Sequence, residues 1–524
     1  MKSPIKIIDL FSGPGGLGEG FSSIRNKNGS KVFKIASSIE REPSAHRTLK
    51  LRAFFRQFEV APEEYYDFLK GKLGKTPEEQ LYKIPKFEKQ VKAAEKEALN
   101  LELGKDDEEI YSLISTSLGS DDCVLIGGPP CQAYSVAGVA RNKSNDKYDP
   151  TLDNRNFLYK EYLKVIALFQ PLVFVMENVK GMLSAKINGE FIYKSIFKDL
   201  ENPSESVELQ PLVHKSHKYK ILSFITPLEE DTKLKPKDYI IYSEKYGIPQ
   251  RRHRVILLGI REDIADSWGS KVLELSDSGI SVNDVLNDLP KLRSGLSKEE
   301  NTDTNWIKSI KTNAVNTISS LKSNNQEVVA NKFKKVITSI EVPKDKQGGN
   351  FGLKRHSSIT NNELKDWFYD KQLDEHICNH ETRGHLSLDL QRYMFCSLWA
   401  KTGMEQNWDR LSPKACDFPT ALIPNHKNFN SGKFADRFRV QPENKPATTI
   451  TCHISKDGHY YIHPDPEQCR SLTVREAARI QTFPDNYFFV GNRTQQYVQV
   501  GNAVPPLLSA KIAKLIGDFL LSLN

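Results

Sequence analysis

Four short, mainly apolar runs recur along the chain between polar or glycine-rich segments, and we interpret each as a short buried strand. They occupy residues 5–10, 124–126, 172–179 and 255–258. A different pattern closes the chain, where apolar residues recur with helical spacing over residues 507–523. Continuous apolar strands are typical of a sheet that is buried on both faces. The pattern therefore predicts an α/β protein with a buried sheet.

Composition narrows the class of protein. With 524 residues, of which 38% are hydrophobic and 27% charged, the chain is typical of a soluble globular protein of two or three domains. The net charge of +8 is compatible with a polyanionic partner and equally with a solvated surface. The sequence has no apolar run of about 18 residues, no recognisable signal peptide, and only a sparse, odd set of cysteines. We therefore expect a cytoplasmic protein with no membrane span.

A glycine-rich turn follows the first apolar run. Residues 11–16 read Phe-Ser-Gly-Pro-Gly-Gly, and a helix is expected after them. Because glycine lets a backbone approach a ligand closely, this turn predicts a nucleotide-type cofactor, with NAD, a flavin and S-adenosylmethionine all open. Pro14 and the irregular glycine spacing disfavour a dinucleotide. Glu40 ends a second strand-like segment, where a carboxylate can accept hydrogen bonds from ribose hydroxyls.

Cys131 lies in the loop that follows the second apolar run. Pro129 and Pro130 precede it, and each proline fixes φ and removes a backbone donor, so the chain leaves the strand as a stiff segment. A stiff loop at a strand end is where an α/β protein presents a reactive group. The arrangement predicts a thiol nucleophile. The alternative is a small buried cysteine with no chemical role.

Polar residues also end the third and fourth apolar runs. Glu177 and Asn178 predict a carboxyl group at the edge of a parallel sheet beside Cys131, although a loop without function has the same composition. Arg252 and Arg254 alternate, which places them on one face of a strand. Two arginines on one face suit a phosphate or a developing negative charge, and exposed charge on an edge strand is the alternative.

Six segments, in this order, resemble the motifs of the C5-cytosine DNA methyltransferases: residues 11–16, 130–132, 177–179, 250–254, 470–484 and 501–505. They resemble, in turn, that family's cofactor loop, nucleophile motif, acid motif, Gln-x-Arg-x-Arg motif, the helix after the recognition domain, and the last motif. The resemblance implies an α/β fold with a doubly wound, Rossmann-like S-adenosylmethionine-dependent methyltransferase sheet, helices on both of its faces, and an inserted, smaller target recognition domain. It also implies an enzyme of the bacterial restriction-modification type.

The family's chemistry transfers residue by residue. The resemblance implies that the Cys131 thiolate adds to C6 of cytosine, which makes C5 nucleophilic. Glu177 would hold N3 and the exocyclic amine, and Arg254 would contact the base near O2. Arg252 would help to position the loop and the base. Because a base cannot react inside a duplex stack, it must be flipped out.

The resemblance also implies S-adenosylmethionine as co-substrate, with no metal. Backbone atoms of the glycine-rich turn would hold methionine and ribose, Glu40 the ribose hydroxyls, and Asn502 would close the pocket. The expected set is Phe11, Ser12, Gly13, Gly15, Gly16, Glu40, Pro130 and Asn502. The family's Gly-Asp-Ile-like segment, whose acid contacts adenine, is not clearly present, because a charged insert fills residues 52–120. The adenine contact is therefore unassigned.

Domain organisation follows from the same comparison. We expect a catalytic domain at residues 1–265, a target recognition domain at 266–440, and C-terminal motifs at 441–524 that return to the catalytic domain. Gln132 and Ser135 would lie on the loop that closes over the flipped base. We expect the protein to act as a nucleoid-associated monomer that binds double-stranded DNA. A separately encoded restriction endonuclease would be its cognate partner.

Two rival functions share parts of this pattern. A transfer-RNA cytosine methyltransferase has the same motifs, but the long recognition region disfavours it. A DNA-binding repressor with an inactive core is disfavoured by the intact Cys131, Glu177, Arg252 and Arg254. The histidines and cysteine of residues 376–385 match no standard zinc spacing, so we expect no metal there.

Overall fold

The computed structural model describes residues 3–130, 158–187, 189–209, 211–212, 216–228, 233–424 and 436–523. Cys131, Gln132 and Ser135 lie outside these residues. The described chain forms two compact units. The first comprises residues 1–61, 82–278 and 503–524, and the second comprises residues 62–81 and 279–502.

A twisted sheet of eight strands organises the first unit within the described residues. The strands are β1 (Ile5–Leu10), β2 (Phe33–Ile39), β3 (Ala98–Leu99), β4 (Cys123–Gly127), β5 (Val173–Val179), β6 (Tyr219–Leu222), β7 (Ile240–Tyr242) and β8 (His253–Arg261). Their order is β3-β2-β1-β4-β5-β8-β6, and β7 also pairs with β8. The first five strands are parallel, whereas β8 runs antiparallel to β5, β6 and β7. The carboxyl ends of the parallel strands therefore meet at one edge of the sheet.

Helices cover both faces of this sheet, and the side chains of β1 alternate between the two faces. Ile8 and Leu10 face a fully buried cluster that includes apolar residues of the helices Asp107–Leu118, Leu158–Phe169 and Ile192–Glu201. Burying each such side chain contributes about 1.5–3 kcal/mol. On the other face Asp9 points at the helix Gly16–Ser23, where Gly18 lies against its carboxylate. These features confirm the predicted doubly wound α/β sheet, with an antiparallel edge that the apolar pattern did not reveal.

The last helix, Pro506–Ser522, packs on the helix Gly16–Ser23. Gly20 permits the contact, because a Cβ there would lie only 2.4 Å from Cβ of Ser509. The Ser509 hydroxyl also donates a hydrogen bond to the main-chain oxygen of Leu17 at 2.7 Å. The end of the chain thus belongs to the first unit and lies beside the glycine-rich turn.

The remaining helices of the first unit connect the strands or cap the sheet. They are Pro43–Arg56, Glu88–Glu97, Pro203–Val207 and Glu262–Ala265. Buried ion pairs link two of these helices to each other and to the helix Gly16–Ser23. Arg52 makes two hydrogen bonds with Glu19, and Arg56 makes two with Glu97. Buried pairs of this kind cost free energy when one partner is removed, which gives the network a positioning role.

The second unit has a different construction. Its β-structure within the described residues consists of strands of two residues, so few ladder hydrogen bonds hold it. Its helices are Glu63–Leu69, Val282–Leu286, Asp303–Lys311, Ala314–Ser323, Glu327–Ser339, Asn362–Phe368, Ser387–Glu405, Val474–Ile480 and Arg493–Asn502. The helix Pro77–Tyr82 contains the point along the chain where the second unit ends at residue 81 and the first resumes at residue 82. An aromatic and aliphatic cluster around Trp306, Phe333, Tyr393 and Phe395 forms its core.

Part of the charged insert belongs to this second unit. Phe68 on the helix Glu63–Leu69 packs edge-to-face with Phe488 and Phe351, at ring-centroid distances of 5.1 and 5.9 Å. The hydroxyl of Tyr65 donates to the main-chain oxygen of Asn486 at 3.1 Å. The insert is therefore divided, with residues 62–81 built into the second unit and the rest into the first. Among the described helices, none is long and apolar enough to cross a membrane.

Candidate active site

The glycine-rich turn leaves β1 with an unusual backbone. Phe11, Gly13 and Gly15 all have positive φ, at 53°, 56° and 96°. For the non-glycine Phe11 this left-handed conformation is uncommon and strained, and such strain concentrates at functional sites. Hydrogen bonds hold it in place, since the Ser12 nitrogen donates to the Ile39 oxygen at 3.1 Å and the Ser12 hydroxyl to the main-chain oxygen of Asp9 at 2.7 Å.

Gly16 begins the helix and lies against the segment that precedes the last helix. A Cβ at Gly16 would lie 2.3 Å from the main-chain oxygen of Val504, which no side chain can occupy. The turn is thus closed on one side by residues 503–504 of the same unit. This explains the glycine in physical terms, because any larger residue would push the turn away from the last helix.

Glu40 is bound to the turn directly. Its Oε2 accepts a hydrogen bond from the Gly13 nitrogen at 2.8 Å, and its Oε1 accepts one from the Glu42 nitrogen at 2.7 Å. Burial raises the pKa of Glu40 above its ordinary value, and the two backbone hydrogen bonds oppose that shift. The sequence predicted Glu40 and the turn as one site, and the structure brings them together.

Glu177 and Arg254 form the second feature of the sheet edge. The Arg254 Nε lies 2.9 Å from Oε1 of Glu177, and the two side chains are 17% and 13% exposed. The register explains the pair, because Arg254 lies opposite Val179 and Ile256 opposite Glu177, which makes Arg254 and Glu177 diagonal neighbours on one face. An ion pair that is neither fully buried nor fully exposed remains available to a ligand.

The loop that leads to Cys131 is held against this pair. The Asn178 amide donates to the Pro129 main-chain oxygen at 3.2 Å. Gly128 leaves room for the carboxylate, since a Cβ there would lie 3.0 Å from Oε2 of Glu177. Pro130 follows as the last described residue before Cys131. The glycine–proline segment and the Glu-Asn segment are therefore one structural group.

Arg252 corrects the expectation of two arginines on one strand face. A two-residue strand, Gln250–Arg251, ends before it, and β8 begins after it at His253. The Ser243 hydroxyl accepts a hydrogen bond from the Arg252 nitrogen at 3.0 Å and donates to the Gln250 oxygen at 2.8 Å. That serine holds the break in the strand, and the Arg252 side chain is buried there.

Asp9 was not predicted as a site residue. Its side chain lies on the sheet face that the helix Gly16–Ser23 covers, and it is 1% exposed. Neither of its carboxylate oxygens has a hydrogen-bond partner among the described residues. Burial raises its pKa to about 7; Arg56 and the nearby Ser12 hydroxyl oppose the shift, and Glu40 and Glu97 add to it. The only signal in the sequence was an acid inside an apolar strand next to the turn.

Asn502 lies exposed at the end of the helix Arg493–Asn502, in the second unit. Across the described part of the chain, no group of three or more histidine, cysteine, aspartate or glutamate residues could hold a metal ion.

A family model describes most of this chain. The model of the C-5 cytosine-specific DNA methylases matches residues 99–204 and 210–518. The chain belongs to this family. It is therefore an enzyme, a DNA (cytosine-5-)-methyltransferase with the S-adenosylmethionine-dependent methyltransferase fold, and membership implies S-adenosylmethionine as co-substrate. The match begins at residue 99, after the glycine-rich turn and Glu40.

Individual relatives extend the likeness. Type II methyltransferase M.Bpa9945I of Bacillus paralicheniformis is 31% identical over 98% of this chain and 98% of its own length. M1.HphI of Haemophilus parahaemolyticus, also a type II methyltransferase, is 26% identical over 75% of this chain and 68% of its own length. A solved DNA modification methyltransferase encoded within an E. coli prophage aligns with 99% of each chain, at 19% identity and a TM-score of 0.49.

Proposed function

We propose that this enzyme methylates C5 of one cytosine within a specific duplex DNA sequence, through a covalent adduct with Cys131 on a flipped-out base. The observation that carries the proposal is the group formed by Glu177, Arg254 and Asn178. Asn178 bonds Pro129, two residues before Cys131 in the sequence, while Arg254 holds one carboxylate oxygen of Glu177. A carboxylate, a guanidinium and the segment that carries a thiol are the groups that this reaction requires.

The chemistry of each group follows from its atoms. The Cys131 thiolate forms a bond from Sγ to C6. The π electrons of the C5–C6 double bond then form a C4–C5 double bond, and those of the C4–N3 double bond move to N3, which takes up a proton. Glu177 supplies that proton or shares it, through the oxygen that faces Gly128 rather than the one bonded to Arg254. After methylation, a base such as water takes the C5 proton, the electron pair re-forms the C5–C6 double bond while the Sγ–C6 bond breaks and the Cys131 thiolate leaves, and N3 returns its proton to Glu177.

Arg254 acts in two ways in this scheme. Its bond to Oε1 fixes the plane of the Glu177 carboxyl, and its charge stabilises negative charge that develops on the base oxygen. Arg252 lies at the break in the strand two residues before it, and its proposed part is to position the loop and the base. Gln132 and Ser135 belong to the same proposal as residues of the loop over the flipped base.

The cofactor residues fit S-adenosylmethionine, which supplies the methyl group as a sulfonium when bound. The left-handed backbone of Phe11 and Gly13 and the tight approach of Gly16 form a cradle without side chains. Glu40 is placed to accept hydrogen bonds from ribose hydroxyls, and the buried Asp9 carboxylate lies beneath the turn. Ser12, Gly15, Pro130 and Asn502 complete the proposed set.

Sequence recognition is assigned by this proposal to residues 266–440, where lysines and arginines would contact phosphates and a few side chains would read base edges. Relatives named as type II methyltransferases support a place in a restriction-modification system. We therefore propose that the enzyme acts as a monomer on host DNA in the cytoplasm and at the nucleoid. We also propose that its cognate nuclease is encoded separately.

The test is to trap the adduct. Duplex DNA carrying 5-fluorocytosine at the target position blocks loss of a proton from C5, so the full-length protein with S-adenosylmethionine should form a stable covalent complex. The target sequence is found first by conversion sequencing of DNA from cells that express the chain. Cys131→Ser should give neither adduct nor methylated DNA, whereas Cys416→Ser, which replaces an exposed cysteine, should keep both.

Three results would contradict the proposal. An adduct with Cys131→Ser would place the nucleophile elsewhere. Methylated DNA without any adduct on the fluorinated duplex would exclude the covalent route. Methylation of transfer RNA with none on DNA would exclude a duplex substrate.

A further inference from the structure

A short 3₁₀ helix, Ser243–Tyr246, follows β7 and holds the segment that leads into β8. Its first residue fixes the main chain before β8, through the hydrogen bond between the Ser243 hydroxyl and the Arg252 nitrogen. Its second residue reaches the first side chain of β8, since Oε1 of Glu244 lies 2.9 Å from Nε2 of His253. One turn of the chain therefore holds this segment by its main chain and by a side chain.

The bond between His253 and Glu244 has a defined direction. An ionised carboxylate can only accept a hydrogen bond, so the histidine ring donates from Nε2. The second carboxylate oxygen, Oε2 of Glu244, is buried and has no hydrogen-bond partner among the described residues. Within that part of the chain, the carboxylate thus depends on the His253 ring, although the two side chains are 21% and 30% exposed.

The pairing of β7 with β8 keeps the same ring in place. His253 lies opposite Tyr242 in antiparallel register, and the two ring centroids are 4.4 Å apart. The Lys245 Nζ lies 5.4 Å from the centroid of the Tyr242 ring. The histidine is therefore packed as well as bonded, so the first residue of β8 has a fixed orientation.

The main chain of His253 connects this orientation to the proposed active site. Its carbonyl oxygen accepts a hydrogen bond from Nη1 of Arg254 at 3.0 Å. The Nε of the same guanidinium lies 2.9 Å from Oε1 of Glu177. Successive side chains of a strand point to opposite faces, so the histidine ring and the Arg254 guanidinium leave β8 on opposite sides. A shift at the start of β8 would move the carbonyl that orients Arg254, and with it the plane of the Glu177 carboxyl.

We propose that His253 is a positioning residue for methyl transfer, because its bond to Glu244 fixes the start of β8 and so aligns Arg254 with Glu177. The inference rests on the proposed function of Arg254 and Glu177 and adds the pair that holds them. A misaligned catalytic group slows the chemical step while substrate contacts made elsewhere persist. Loss of the pair should therefore lower kcat and leave KM for DNA and for S-adenosylmethionine within about twofold of the wild-type values.

The experiment compares two amide replacements of His253 in the full-length protein. The amide nitrogen of a glutamine corresponds to Nε2 of the ring, whereas that of an asparagine corresponds to Nδ1, closer to the main chain. His253→Gln can still donate to Glu244 and should recover most of the single-turnover rate on duplex DNA. His253→Asn loses the bond and should slow transfer about tenfold, the effect expected for one hydrogen bond to a charged group.

A second variant removes the same bond from the other side. Glu244→Ala should slow transfer as much as His253→Asn does, and it decides the question if a thermal melt shows that His253→Asn is unfolded. The double variant should be no slower than either single variant, because both remove one interaction. His217→Asn is the matched control and should keep the wild-type rate, since this histidine of the same unit lies 3.9 Å from Asp263.

Each outcome has one meaning. A folded His253→Asn variant with the wild-type rate, or a His253→Gln variant as slow as His253→Asn, overturns the inference. So does a wild-type rate in Glu244→Ala, or a loss that appears in KM and not in kcat. A wild-type protein that methylates no DNA overturns the proposed function itself. A kcat that falls with His253→Asn and with Glu244→Ala, and that returns with His253→Gln, supports the inference.

Discussion

Charged side chains serve different purposes in the two units. In the first unit, Glu177 and Arg254 form an ion pair whose side chains are 13% and 17% exposed. In the second unit, Arg470, Arg475 and Arg479 are fully buried and fully occupied. Arg475 donates to the main-chain oxygens of Cys378, Pro484 and Tyr487, and Arg479 bonds the carboxylates of Asp288 and Asp485.

The difference follows from how each unit is held together. Four parallel strands of five to seven residues satisfy much of the backbone of the first unit, and the Glu177–Arg254 pair lies at the edge of this sheet with part of its surface exposed. The second unit has only two-residue strands among its described residues, and its buried arginines hold loops together by bonding several carbonyl and carboxylate oxygens at once. The buried arginines of the second unit are thus bonded throughout, whereas the Glu177–Arg254 pair keeps part of its surface exposed.

Replacing Glu177 by alanine gives the largest expected loss of activity. Transfer should slow by about 100- to 10,000-fold, the range for losing a general acid, whereas the melting temperature should change little because the side chain is partly exposed. Single-turnover methylation of duplex DNA and a thermal melt measure the two effects. Glu190→Ala, at an exposed acid of the same unit, is the control and should keep near-normal rates. Near-normal turnover of Glu177→Ala would remove Glu177 from the site.

Replacing Arg479 by methionine tests the other side of the comparison. The buried Asp288 would lose its guanidinium partner and the buried Asp485 would keep only Arg355 and the more distant Arg475, at a cost of about 3–5 kcal/mol in the free energy of unfolding. Urea unfolding measures this loss. Arg437→Met is the control, because Arg437 and Asp457 form an exposed pair worth at most about 1 kcal/mol. Equal effects of the two variants would refute the distinction between buried and exposed arginines.

Asp9 is an exception that sharpens the comparison, because its carboxylate is buried in the first unit and has no hydrogen-bond partner among the residues that the structure describes. Its pKa of about 7 in the folded protein exceeds the ordinary 3.8 of an unfolded aspartate. The folded state thus binds the proton more tightly, so the wild-type protein loses stability as the pH rises from about 4 to about 7. Asp9→Asn removes this penalty.

The stabilisation by Asp9→Asn should be larger at pH 8 than at pH 5, by about 1–3 kcal/mol in the free energy of unfolding. Urea unfolding of both proteins at the two pH values measures it, and titrations common to both proteins cancel in the difference. A stabilisation that is independent of pH would mean that Asp9 titrates normally in the folded protein.

The sequence was most informative at the ends of long strands. The buried runs before Glu177 and Cys131, and the glycine-rich turn after β1, all stand out because a strand buried on both faces is continuously apolar. The same reasoning failed where the pattern was short or interrupted. Arg252 was expected on a strand, but Ser243 holds a break there that depends on a residue nine positions away.

Contacts distant in sequence escaped prediction for the same reason. Asn100 follows a strand of two residues, and its partner Glu40 is sixty positions away. The helix Glu63–Leu69 reads as part of a charged insert, yet its aromatic residues pack on Phe351 and Phe488 in the second unit. No local pattern encodes the partner of a side chain, because packing depends on which segments meet.

The sequence by itself determined the fold class and the order of the motifs, which identify the reaction class, because residue type and local spacing are sufficient for both. Only the tertiary structure decided that Arg254 holds Glu177, that the buried Asp9 carboxylate has no hydrogen-bond partner within the described part of the chain, and that Asn100 lies beside Glu40. It also decided which arginines are structural. These properties depend on burial and on distances between segments far apart in the chain, and the free energies of charged groups vary steeply with both.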